Sequence, residues 1–126
     1  FGFKDAVEEL ADAYNNSRKI NISYTINYPK KLLIPENELH LFRIIEELIK
    51  NSVRCRKANN SIIHIAYKEN KLIFYYTDNG IDFNTDNISI KKGLGMKNIE
   101  SRISLLNAQY SIENKIGNGF KIIIVI

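Results

Sequence analysis

The chain has no tryptophan, one methionine, one cysteine and two prolines among its 126 residues. A lone cysteine, Cys55, can close no internal disulfide and offers no thiolate cluster, which points to a reducing, cytoplasmic setting rather than a stapled secreted fold. Two prolines, Pro29 and Pro35, leave long stretches open to helices and strands. No apolar run approaches the ~20 residues that cross a bilayer, and the basic, apolar and small-residue zones of a signal peptide are missing. Neither sign of charge dominates: 18 Lys and Arg stand against 14 Asp and Glu, and the basic residues are scattered. Without a basic stripe interleaved with stacking aromatics, nucleic acid is not an expected partner, and neither is a membrane surface for this domain, although a phosphate-bearing ligand is allowed. What remains is an ordinary globular balance, enough for one compact domain over 1–126. Because the chain opens at Phe1 inside a helix-like pattern, we read it as a domain excised from a longer protein.

Periodicity supplies the element order. Phe3, Ala6, Val7, Leu10 and Ala13 recur at helical steps over 3–14, closed by Asn15 and Asn16. Residues 20–28 alternate as a strand that Pro29 stops. Pro35 with Glu36 and Glu38 marks a helix start, and the helix should run to about Ala58 with Leu41, Ile45, Leu48 and Ser52 inward. Strands at 61–68 and 71–77 turn across Glu69-Asn70. Residues 84–92 read as a polar, irregular loop, and 94–107 as a helix with Ile99, Ile103 and Leu106 on one face. A last hairpin, 109–114 and 119–126, turns at Gly117-Asn118-Gly119. Five strands and three amphipathic helices predict a two-layer α/β sandwich, a mixed sheet covered on one face by helices.

Three segments carry chemistry. Glu47 and Asn51, four residues apart on the middle helix, stack one above the other, and Arg54 continues the stripe. An amide oxygen suits Mg²⁺, a guanidinium suits phosphate and a carboxylate can order a water or polarise a nucleophile, though such pairs are also common on solvated helix faces. Asp78-Asn79-Gly80 ends a strand: a carboxylate there can accept from the exocyclic amine of adenine, and Gly80 allows close approach of a flat ring, but the same residues make a plain turn. Gly93-Leu94-Gly95-Met96-Lys97-Asn98, preceded by Lys91 and Lys92, leads into a helix and could cradle phosphate on exposed N–H groups, or be only a flexible entry; the third glycine of a dinucleotide fingerprint is absent.

Together and in this order, the segments resemble the GHKL ATPases, the histidine kinase, gyrase, mismatch-repair and chaperone group with the Bergerat fold. Phe42 to Arg54 resembles the N box, Asp78 to Phe83 the first glycine box, Gly93 to Arg102 the second, and Gly119 to Val125 the closing strand; the subgroup of kinases related to nitrate and membrane-fluidity sensors is the nearest likeness. The resemblance implies an ATP-binding catalytic domain of a bacterial sensor histidine kinase. Asn51 would hold Mg²⁺, Glu47 would act at the γ-phosphate, and Arg54 would touch phosphate. Asp78 would recognise adenine with Gly80 against it. Gly93 and Gly95, with Lys92 and Met96, would line the phosphates under a short lid at 84–92. The partners implied are the dimerisation helices that carry the phosphoacceptor histidine and a response regulator, within a full-length protein anchored in the inner membrane. Asp82 stands where the first glycine box usually has a second glycine, and Cys55 where the N box often ends in a basic residue or histidine. Those departures keep open a docking module without turnover; a serine-directed kinase of the same fold, as in anti-sigma factors, is the other alternative.

Neither His40 nor His64 precedes an acidic residue as an acceptor histidine would, so both read as structural or surface groups. The isolated domain is therefore expected to bind Mg-ATP without phosphorylating itself. Acid-labile label on this fragment alone after incubation with γ-labelled ATP would contradict that.

Overall fold

The computed structural model describes residues 2–80, 85–114 and 119–126, with side chains in the last helix from Gly95 onward. Eight elements follow in order: α1 (Phe3–Ser17), β1 (Asn21–Ile26), α2 (Pro35–Arg54), β2 (Asn60–Lys68), β3 (Lys71–Asp78), α3 (Thr85–Leu105), β4 (Gln109–Asn114) and β5 (Phe120–Val125). The strands form one mixed sheet in the order β1-β2-β3-β5-β4. β1 pairs parallel to β2, and every other pair is antiparallel. A parallel pair needs a crossover, and α2 supplies it. The helix that carries Glu47 and Asn51 is thus anchored at both ends to neighbouring strands.

Pro35 in the first turn and the acidic Glu36 and Glu38 start α2, and Arg54 lies in its last turn, each on the side the helix dipole favours. Leu41, Ile44, Ile45, Leu48, Ile49 and Ser52 form its buried stripe. The strands answer with period two. Leu72, Phe74, Tyr76 and Asp78 of β3 are buried in alternation, as are Phe120, Ile122 and Ile124 of β5. Asp78 therefore falls on the core face because it is in phase with Phe74 and Tyr76. The β2–β3 hairpin turns across Glu69 and Asn70, both in the left-handed region (φ 55° and 63°), the twist a two-residue hairpin requires. Gly119, just ahead of β5, has φ +82°, and a Cβ there would lie 2.2 Å from the Asp78 carbonyl oxygen. Only glycine lets β5 approach the end of β3 that closely.

The expected two-layer sandwich is borne out, and three boundaries move. α1 continues to Ser17 and closes on Arg18 in the left-handed conformation (φ 60°). Asn15 does not end it: its amide instead brackets Ile22, donating to the Ile22 carbonyl at 3.0 Å and accepting the Ile22 N–H at 2.6 Å. Ala13, expected inward, is exposed. α2 ends at Arg54, short of Ala58. The largest correction is α3, which begins at Thr85 and runs through Gly93 and Gly95, where a loop was expected over 84–92. At Gly95 the close packing on α2 offsets the ~1 kcal/mol that an interior glycine costs a helix. The turn expected at Gly117-Asn118-Gly119 lies, apart from Gly119, outside the described residues.

Leu48 is completely buried between α2 and the sheet. Leu48→Ala is expected to cost about 2–5 kcal/mol, read as a lower urea midpoint with an unchanged m-value.

Candidate functional site

One turn of α2 joins the separate motifs. Glu47 and Asn51 are half-buried on its border. Gly95 of α3 packs directly over them: a Cβ at Gly95 would stand 3.0 Å from Asn51 Nδ2, 3.1 Å from Asn51 Oδ1 and 3.2 Å from Glu47 Oε1. The glycine thus serves close approach of two helices, and its N–H is not at a helix start as the sequence suggested. Asn51 Oδ1 and Glu47 Oε1 both face that small gap. These are hard oxygen donors, few in number, the set that suits Mg²⁺ completed by water and phosphate oxygens. Among the described residues no cluster of three or more His, Cys, Asp or Glu could hold a metal by protein ligands alone.

Ser52, the next residue of α2, reaches the second motif. Its hydroxyl lies 2.6 Å from Asp78 Oδ2, 2.6 Å from the Tyr76 hydroxyl and 3.0 Å from the Leu48 carbonyl oxygen. Ser52 has one proton, and the ionised carboxylate is the stronger acceptor. Ser52 therefore donates to Asp78, and the Tyr76 hydroxyl donates to Ser52. Arg56, just beyond α2, completes the group: Nε lies 2.8 Å and Nη2 2.7 Å from Asp78 Oδ2. The guanidinium carbon sits 4.2 Å from the centroid of the Phe120 ring, a cation–π contact in a dry setting. The Asp78 side chain is 0% exposed and that of Arg56 7%. The second carboxylate oxygen, Oδ1, accepts the Gly80 N–H at 2.9 Å. Asn79 fastens the strand end by accepting the Asn59 and Asn60 N–H groups at 3.0 and 2.9 Å. Burial pushes the Tyr76 phenol up from its ordinary value to about 12, so it stays a donor throughout the neutral range.

Beside this cluster, a groove of about 460 Å³ opens between α2 and α3. Arg43, Lys50 and Arg102 line it together with Glu46, and Glu47 forms the edge it shares with the Asn51–Gly95 contact. Arg43 is paired with Glu46 at 2.7 Å, and Arg102 donates to His40 Nδ1 at 3.3 Å. The site thus has an open, charged end at the groove and a buried ion pair at Asp78.

Of the residues singled out in the sequence, Glu47, Asn51 and Gly95 meet, and Asp78 and Gly80 join them through Ser52. Arg54 is exposed at the end of α2, and Met96 is buried in the core. Lys92 and Gly93 lie within α3 ahead of the described side chains, and Asp82 lies outside the described residues. Cys55 is a half-buried free thiol capping α2. His64 is exposed on β2. Tyr76 and Arg56 were missed, and Ser52 was read only as an inward core residue, although an inward-phased aspartate on a core strand demands a buried cation.

The family described as histidine kinase-, DNA gyrase B- and HSP90-like ATPase matches residues 36–126, and the chain belongs to it. Sensor histidine kinase ComP of Bacillus subtilis (strain 168) is 32% identical over 87 residues, 68% of this chain and 11% of that protein. Sensor protein VraS of Staphylococcus saprophyticus is 30% identical over 112 residues, 88% of this chain and 30% of that protein. The chain thus spans a third or less of these two relatives. The histidine kinase domain of the Erythrobacter litoralis blue-light activated histidine kinase has the same fold: TM-score 0.77 at 14% identity, over 100% of this chain and 61% of that one.

Because the Tyr76 phenol is held at about 12, an unfolded chain loses this proton first, near the ordinary 10. Stability from this group is therefore intact below pH 10 and lost as pH rises toward 12, on the order of 1 kcal/mol by pH 11. Tyr76→Phe is expected to show a smaller drop in urea midpoint between pH 8 and pH 11 than the unmodified protein.

Proposed function

We propose that this domain binds ATP with Mg²⁺ and directs the γ-phosphoryl group to a histidine on the dimerisation helices of the same kinase, for onward transfer to a response regulator. The observation that carries this reading is the convergence on one turn of α2: Glu47 and Asn51 against Gly95, and Ser52 against Asp78. Membership of an ATPase family, and relatives named as sensor kinases, support it. Asn51 would hold the metal with Glu47 beside it, and Mg²⁺ would supply charge neutralisation on the phosphates. Phosphoryl transfer asks the protein chiefly for positioning and electrostatics. Asp78 fixes the base, the rigid α2 sets the distance from base to phosphates, and Arg54 with Lys92 offers positive charge. Gly93, like Gly95, would let α3 lie close to the phosphates, with Met96 supporting that stretch from the core.

No helix among the described residues is long and apolar enough to cross a membrane. We place the domain in the cytoplasm, within a kinase of the nitrate- and membrane-fluidity-sensor subgroup whose other parts reach the inner membrane. Its N box and second glycine box support that placement.

Calorimetric titration tests the nucleotide reading. Asp78→Asn should weaken both ADP and Mg-ATP at least tenfold. Asn51→Ala should remove most of the gain that Mg²⁺ brings while leaving metal-free ADP nearly unchanged. No saturable binding by the unmodified domain would overturn the proposal in favour of a docking module.

A further inference from the structure

The buried guanidinium beside Asp78 has no counterpart in the reading above. We infer that Arg56 is a positioning residue for base selection, orienting the Asp78 side chain so that Oδ1 keeps an acceptor position that no described residue fills. The inference rests on the reading that Asp78 meets adenine.

A carboxylate offers about four acceptor positions, two on each oxygen. Oδ2 receives Ser52 Oγ at 2.6 Å and two nitrogens of Arg56 at 2.8 and 2.7 Å, so it is fully subscribed. Among the described residues, Oδ1 receives only the Gly80 N–H. They leave one position open, on the oxygen next to the glycine. Arg56 is itself held on three sides. Its Nη2 is 3.2 Å from Ser52 Oγ, its guanidinium lies over Phe120, and its Cβ stands 2.4 Å from where a side chain at position 80 would begin. That last contact means Gly80 and Arg56 fit each other sterically as well as through Asp78.

The consequence is chemical. A buried carboxylate without a cation neutralises by taking a proton and then becomes a donor. Asp78 is met by donors at both oxygens, Arg56 and Ser52 at Oδ2 and the Gly80 N–H at Oδ1, and Tyr76, the other titratable group among the described residues of this cluster, is a protonated donor to Ser52. An acceptor-only Oδ1 takes the exocyclic amine of adenine and repels the C6 carbonyl of hypoxanthine or guanine. A protonated Asp78 would accept either base.

ATP and ITP differ at that edge, so their affinity ratio is the readout. The unmodified domain should bind ATP at least tenfold more tightly than ITP. Arg56→Met should shrink the ratio at least fivefold, chiefly by improving ITP, and Arg56→Lys should retain most of it because the cation survives. Arg56→Met that folds and keeps the full ratio overturns the inference. Should the methionine variant fail to fold, the unmodified protein decides: the Arg56 Nε–H resonance should persist through saturation with ADP. Its loss to solvent exchange would mean that adenine displaces Arg56, and the inference falls. Equal binding of ATP and ITP by the unmodified domain, or no binding of either, sinks the adenine reading itself.

Discussion

The Asp78 end of the site depends on one buried ion pair. Asp78 is carried inward by the alternation of β3, and a carboxylate in that position is tolerable only with a cation and a full set of donors. Arg56, Ser52 and the Gly80 N–H provide them. The partners come from α2, from the segment just beyond it and from the strand end, so the same contacts that keep Asp78 charged also fix the sheet against the helix. Removing one partner would leave an uncompensated buried charge, a change on the order of 3–5 kcal/mol. The bonds that stabilise the packing here are the ones that orient the Asp78 carboxylate.

Close approach is the second constraint, and glycine meets it twice in different ways. At position 119 the backbone is left-handed and passes the Asp78 carbonyl, so both conformation and space demand glycine. At position 95 the backbone is helical and only space matters, since α3 lies on Asn51 and Glu47. A side chain at 95 would separate the two helices where the oxygen donors gather. The polar groove between α2 and α3 gathers Arg43, Lys50 and Arg102 at the open end.

Much of the fold is legible in the sequence because its signals are local. The Glu69-Asn70 turn, the inward stripe of α2 and the alternation in β3 and β5 each follow from spacing alone. The beginning of α3 is not legible. Asn, Thr, Asp, Ser and two glycines read as loop chemistry, and the helix exists through its packing on α2. Among site residues, Glu47, Asn51 and Asp78 could be found because motif spacing marks them. Arg56 could not, because an arginine just past a helix end ordinarily points into water, and only the phase of Asp78 on a strand 22 residues later says otherwise. Ser52 was found as a core residue, and its role as a bridge needed the third dimension.

The parallel register of β1 on β2, from Asn21 opposite Asn60 to Ile26 opposite Ile65, leaves α2 as the connection that spans it. A connection tied to two strands already locked side by side cannot slide along its axis without shearing the ladder. The placement of the wall bearing Asn51 and Glu47 is therefore inherited from an edge of the sheet. Damage to β1, remote though it is, would be felt as a displaced Asn51.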